Sequence, residues 1–214
     1  MSGYRVVAVS PINKKKYKIL LEGAEEITIS LYPSELRRFC IKEDNLISDG
    51  EYSQIEEILY KRGKERALYY LKDSDRTSFQ MRKKLREGYY PENIIDKVLD
   101  FLEKYGYIDD LSYSEHYIFY NYKRKSILQI KNDLRVKGIS KDIIDVAFEN
   151  HSFDSSDECQ CQRDIIRKFI EKKIKSDMDL QNKNKIVSAL VRKGFLYDDV
   201  LSVFREIENT KCCM

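Results

Sequence analysis

The sequence predicts a mainly α-helical protein, built as three tandem three-helix units of the helix-turn-helix kind behind a small N-terminal β-meander. Three observations carry that prediction. From about Gln54 nearly to the end, apolar residues recur at three- and four-residue steps, the period of one helix face. Glycine (8) and proline (3) are scarce among the 214 residues, which disfavours sandwiches, barrels and flexible linkers. The helical region also aligns with itself three times without gaps.

The first third differs from the rest. Tyr4–Val9 and Tyr17–Leu21 are short β-branched runs, separated by Ser10-Pro11-Ile12-Asn13 and the lysines Lys14, Lys15 and Lys16. Glu26–Leu31 alternates polar and apolar residues. All three read as strands, too short and too few to stand as an independent domain. Ser34-Glu35-Leu36, after Tyr32-Pro33, reads as a helix start. Beyond Gln54, Ile55, Ile58, Leu59 and Arg62 share a stripe that Ala67, Leu68 and Leu71 continue. Breaks at Asp73-Ser74, Tyr90-Pro91, Gly106, Gly138-Ile139-Ser140, Ser152 to Ser156 and Gly194 cut this region into roughly nine helices. The expected organisation is a strand extension with a short helix over residues 1–52, then helical repeats over 53–105, 106–151 and 156–208.

The repeat is anchored at Leu85, Leu134 and Leu190. Ten residues after the anchors stand Ile95, Ile144 and Val200, and fourteen after them stand Leu99, Phe148 and Phe204. Four after them, in helix-ending turns, stand Tyr89, Gly138 and Gly194. Each unit reads as a leading helix, a second helix that stops at the turn, and a third helix. Such a unit cannot bury its apolar stripe alone, so stacking neighbours makes the core. Leu85, Leu99, Leu134, Phe148, Leu190 and Phe204 are expected to be buried at equivalent places.

Charged residues make up 35% of the chain, yet 39 basic against 36 acidic side chains leave a net charge of only +3. What matters is where the charges sit. The second helices, expected over Asp75–Glu87, Ser126–Lys137 and Met178–Lys193, are basic. The third helices are acidic, with Glu92, Asp96, Asp100 and Glu103, then Asp142, Asp145 and Glu149, then Asp198, Asp199, Glu206 and Glu208. Complementing helix dipoles, at about 0.3–1 kcal/mol each, explains Lys137 or Asp142. It does not require Arg82, Lys83 and Lys84 together, nor Lys123-Arg124-Lys125 at the end of the preceding helix. A basic binding face is therefore expected from Arg82, Lys83, Lys84 and Arg86 in the first repeat. Lys123, Arg124, Lys125, Lys131, Arg135 and Lys137 supply it in the second, and Lys185, Arg192 and Lys193 in the third.

Other chemistry finds little support. No stretch approaches the roughly 18 apolar residues of a membrane span, and Met1–Lys16 lacks the pattern of a signal peptide, so a cytoplasmic protein is expected. The cysteines Cys40, Cys159, Cys161, Cys212 and Cys213 form an odd set without zinc-site spacing, which reads as reduced thiols and no metal. There is no phosphate-cradling Gly-x-x-x-x-Gly-Lys-Ser/Thr segment. His116 and His151 lie in different repeats, and His116 reads as packed or half-exposed rather than as a base. Asp109-Asp110 reads as a helix cap after the Gly106 turn rather than as a metal-binding pair. Neither an enzyme nor a cofactor is expected. Tyr117, Phe119, Tyr120 and Tyr122 recur too densely for one buried stripe. Either some stack on single-stranded bases beside Lys123-Arg124-Lys125, or they fill the joint between the first two repeats.

At these residues the sequence resembles the RecX family of RecA regulators. Gly106-Tyr107-Ile108-Asp109-Asp110 matches the family's join between the first and second repeats. Ile130 to Ile139, with Leu134-Arg135 and Lys137-Gly138, matches its Ile…Leu-Arg-x-Lys-Gly segment, and Leu190 to Phe195 echoes it. The resemblance spans about Ala67 to Glu208. Ser126-Ile127 stands where many members have Gly-Pro, and Gly88-Tyr89 replaces the usual Lys-Gly pair. The resemblance implies an elongated, curved body lying along a RecA–single-stranded-DNA filament. It also implies a monomer that modulates RecA, chiefly by inhibition, in recombination, DNA repair and the SOS response. Single-stranded DNA alone is then expected to bind weakly and without sequence preference. Reversing charge at Arg82, Lys83, Lys131 and Arg135 is expected to abolish function without unfolding. The alternative is a stand-alone helix-turn-helix DNA-binding protein. Its base-reading side chains would gather at one helix N-terminus, whereas the basic residues here concentrate toward helix C-termini.

Overall fold

The computed structural model describes residues 3–151, 155–173 and 183–212, the backbone alone for 155–159 and 210–212. It is mainly helical with a small N-terminal antiparallel sheet, and it divides into two compact units, Met1–Asp109 and Asp110–Met214.

In the first unit, β1 (Gly3–Asn13), β2 (Lys16–Glu22) and β3 (Glu26–Leu31) form the expected meander. Lys14 and Lys15 form the tip of the β1–β2 hairpin. A fourth strand, β4 (Leu46–Ser48), pairs with β1 and gives the order β3-β2-β1-β4. Three residues are too few to show the alternation that marks a strand. The helix α1 spans Pro33–Arg38. The long helix α2 (Asp49–Asp73) starts five residues before the expected Gln54, because Ser48 and Glu51 form a capping box that satisfies two orphan amides. It is followed by α3 (Ser78–Glu87) and α4 (Glu92–Lys104). The sheet does not stand apart from these helices. Val6, Ile19, Leu21, Ile29 and Leu31 share one core with Ile55, Leu59, Met81, Leu85, Ile95 and Val98.

The second unit contains α5 (Asp110–Asn121), α6 (Ile127–Val136) and α7 (Lys141–Asn150), then α8 (Ser155–Lys173), α9 (Lys183–Arg192) and α10 (Tyr197–Cys212). The expected start of α9 at Met178 lies outside the described residues. Two cores form here: Ile118, Ile130, Leu134, Ile139, Ile144 and Ala147 make one, and Ile166, Ile170, Leu190, Phe195, Val200 and Phe204 belong to the other.

The repeat register holds in three dimensions. Met81, Leu85, Tyr90, Ile95 and Val98 are all buried, as are Ile130, Leu134, Ile139, Ile144 and Ala147, and again Ile186, Leu190, Phe195, Val200 and Val203. Leu99 and Phe204 are buried as expected. Phe148 is the exception: it is only partly buried, with the Lys131 ammonium 5.0 Å from its ring centroid. The three helix-ending turns are the same motif. The amides of Tyr90, Ile139 and Phe195 donate back to the carbonyls of Leu85, Leu134 and Leu190 at 3.3, 3.2 and 3.2 Å, as in a Schellman cap. The left-handed residue of that cap is Gly138 (φ +84°), Gly194 (φ +90°) and, in the first repeat, Tyr89 (φ +59°). The displaced Gly88 therefore leaves the turn geometry unchanged.

Gly194 carries a second constraint. A Cβ there would lie 2.4 Å from Leu128 Cβ at the start of α6, and the adjoining Lys193 carbonyl accepts a hydrogen bond from the Ser126 hydroxyl. Gly194→Ala is expected to cost about 2–3 kcal/mol, from left-handed strain plus overpacking. Urea denaturation followed by circular dichroism measures it, and a loss under about 1 kcal/mol would mean that α6 yields freely.

Candidate functional site

The basic second helices and acidic third helices meet each other. In the first unit Arg82 donates to Asp96 (2.6 Å) and Glu92 (3.1 Å), and Arg86 donates to Glu92 (2.6 Å). Hydrogen bonds from Arg86, and then Arg82, hold the Glu92 carboxyl below the usual range. In the second unit Lys131 donates to Asp145 at 2.8 Å. Arg82 and Lys131 hold the same place relative to Leu85 and Leu134, and Asp96 and Asp145 likewise, so one ion pair occurs in two repeats. In the third repeat Lys183 of α9 pairs with Glu208 of α10 at 2.7 Å, and α8 adds Arg163 and Arg167, both on Glu206. The exposed pairs among these contribute up to about 1 kcal/mol each.

The remaining candidates divide between paired and unpaired. Lys84 bonds Glu87 at 3.0 Å. Lys125 bonds Asp133 (2.7 Å) and the Tyr117 hydroxyl (2.9 Å), and its hydrogen bond keeps Asp133 below the ordinary carboxylate range. Arg135 donates to Asn132 at 3.1 Å and Arg192 to its own helix at Ser188. The Lys137 ammonium lies 5.3 Å from the Tyr117 ring centroid, and that of Lys193 4.3 Å from the Phe169 centroid. Among the described residues Lys83, Lys123, Arg124 and Lys185 are exposed and form no ion pair.

Within the second unit the fold joins two basic segments that are far apart in sequence. Ser126 caps α6 through its capping box with Gln129, and its hydroxyl donates to the carbonyl of Lys193. Gln162 on α8 donates to the Lys125 carbonyl at 3.4 Å. Ser126, which follows Lys123-Arg124-Lys125, is thereby held against Lys193, which follows Arg192, and the two basic segments are joined at this contact. On the helix leading into this segment, Phe119 and Tyr120 are 66% and 70% exposed while Tyr122 is buried, so the aromatic run splits between surface and core. His116 is exposed rather than packed into a core. Asp109 immediately precedes α5. Cys40 and Cys161 are free thiols, and the side chains of Cys159, Cys212 and Cys213 lie outside the described residues. Among the described residues no group of His, Cys, Asp and Glu could hold a metal ion, and no helix is long and apolar enough to cross a membrane.

Sequence reasoning did not single out Lys14, Lys15, Lys16, Arg62 and Arg66, which gather on one cleft of the first unit. The lysine triplet at a hairpin tip was the available clue.

Fold and surface together define a three-helix-repeat protein with clustered cations, a class suited to binding other macromolecules. The family model for the first three-helix domain of RecX matches residues 64–102. Regulatory protein RecX of Clostridium tetani is 36% identical over 157 residues, covering 71% of this chain and 70% of that protein. Regulatory protein RecX of Clostridium acetobutylicum is 29% identical over 205 residues, 94% of this chain and 95% of that one. The crystal structure of RecX from Lactobacillus salivarius superposes with a TM-score of 0.59 at 25% identity, covering 71% of this chain and 98% of that one. A crystal structure of regulatory protein RecX gives a TM-score of 0.60 over 96% and 99% of the two chains at 22% identity, a likeness of fold. The chain belongs to the RecX family.

Proposed function

We propose that this protein binds RecA–single-stranded-DNA filaments and restrains RecA, lowering its ATPase, filament growth and strand exchange. The observation that carries this reading is the joined basic pair, Lys123-Arg124-Lys125 beside Arg192-Lys193, in a chain of a regulatory family. Clustered cations steer binding toward phosphate and acidic protein surface, and the exposed Phe119 and Tyr120 rings suit unstacked bases. The protein acts in the cytoplasm as a monomer, by contact and without catalysis or cofactor. The test is RecA ATPase on single-stranded DNA with increasing amounts of the protein. A dose-dependent fall is expected, while binding to single-stranded DNA alone stays weak and weakens further with salt. An unchanged ATPase, with tight sequence-specific binding to duplex DNA, would replace this reading with the stand-alone DNA-binding one.

A further inference from the structure

We propose that the cleft between the β1–β2 hairpin and α2 is a binding site for nucleotide phosphates, with the Tyr32 ring offered to the base. The cleft measures about 740 Å³ and takes Lys14, Lys15 and Lys16 from the hairpin, Arg62 and Arg66 from α2, and Lys84 from the end of α3. That volume lies in the ordinary range of small-molecule sites, roughly 300–1,000 Å³. Carboxylates answer only two of these six cations. Glu35 accepts two 3.0 Å bonds from Arg62, and Glu87 pairs with Lys84 at 3.0 Å. Among the described residues Lys14, Lys15, Lys16 and Arg66 form no ion pair with a carboxylate, and the pull of Glu35 on Lys16 is weaker than the push of Arg62 and Arg66.

Lys16 is the informative one. It is half-buried, and its ammonium donates to the Gly88 carbonyl at 3.1 Å. Burial, and then the positive charges of Arg62 and Arg66, push it down to about 8. The fold has no need of this bond, because the Ser30 hydroxyl already donates to the same carbonyl at 2.9 Å. A desolvated cation held among like charges destabilises a protein, and a bound anion offsets that cost.

Phosphate fits better than a peptide carboxylate for two reasons. Its oxygens accept from several cations converging from the hairpin and α2 at once. The cleft also carries an aromatic: Tyr32 has Arg62 4.7 Å from its ring centroid and remains 40% exposed. A ring beside cations is the pairing that holds a base and its phosphate together. None of these residues belongs to the joined basic pair of the second unit that carries the RecA reading, and only Lys84 is shared with the basic face expected from the sequence.

The phosphate could come from a free nucleotide or from a unit of a single strand, and two probes separate them. ATP is titrated calorimetrically into the full chain. A labelled hexathymidylate is titrated into a full chain carrying K123Q/R124Q, which weakens the other basic cluster. With whichever probe binds, K14Q/K15Q/R66Q is expected to weaken affinity at least tenfold, against less than twofold for K42Q/K72Q/K97Q, a control removing three exposed charges elsewhere on the unit. All these side chains are exposed, and circular dichroism checks that folding is kept. Tyr32→Leu is expected to weaken ATP or hexathymidylate severalfold while leaving inorganic triphosphate unchanged. The proposal is overturned if neither probe binds, if the control triple loses as much, if Tyr32→Leu changes nothing, or if an oligoglutamate peptide binds as tightly with the same dependence.

Discussion

Leu134→Ala is expected to cost about 2–5 kcal/mol, the range for truncating a fully buried leucine, and to loosen α5–α7 before the rest of the chain. Leu134 has no exposed surface and, among the described residues, belongs to a core of six buried ones. Removing its side chain takes away a large share of what orders those three helices. Leu85 occupies the same place in the first repeat, but its core also includes the buried residues of the sheet and α2. Leu85→Ala should therefore leave the fold of its unit more nearly intact for a similar local loss. Against a typical total stability of about 5–15 kcal/mol, the Leu134 loss amounts to partial unfolding at physiological temperature. Amide hydrogen exchange separates the two variants. In Leu134→Ala protection should fall by roughly 30-fold or more across α5–α7 and stay near wild type in α2–α4. Uniform loosening of both units, or an unchanged melting temperature, would contradict the division into separate cores.

Much of this architecture was legible because it rests on apolar spacing. The anchors Leu85, Leu134 and Leu190 and the positions ten residues later follow directly from the register, and burial obeys it. Phe148 departs because it packs only at the margin of its core, and apolar spacing does not encode how deep a position lies. A nearby lysine is not the cause, since Phe204 also has one and is buried. The early start of α2 is encoded in the capping-box spacing of Ser48 and Glu51, ahead of any apolar stripe. The charge pattern was legible by helix but not by face. Arg82 to Asp96 and Lys131 to Asp145 each span 14 residues, and overlaying charges on the repeat register would have shown the two pairs in advance. The contact between Ser126 and Lys193 spans 67 residues, and no local pattern encodes it. It arises from how the third repeat's turn meets α6, with Gly194 leaving the space.

That contact locates the second large expected effect. Neutralising Lys123, Arg124, Arg192 and Lys193 to glutamine should raise the concentration for half-inhibition of the RecA ATPase at least tenfold. All four side chains are exposed, and such substitutions usually shift stability by less than about 0.5 kcal/mol each, so helical content should hold. If each meets a phosphate of a single strand, the slope of log affinity against log salt should flatten by about 3, at roughly 0.7 per contact. Charge reversal at Arg82 and Lys131 is a poorer probe, because it would set a new carboxylate against Asp96 or Asp145 across distances now spanned by 2.6 and 2.8 Å bonds. The sharper companion is E92Q/D96N/D145N, which removes both carboxylates from Arg82 and the one from Lys131 without altering either cation. If Arg82 and Lys131 belong to the binding face, that variant should inhibit RecA at lower concentrations than wild type. If they serve only to join the second and third helices, inhibition should stay as it was while stability falls slightly. Full inhibition by the quadruple variant at an unchanged salt slope would remove the joined basic pair from the interface and leave the exposed cations of α3, Lys83 and Arg86, as the contact.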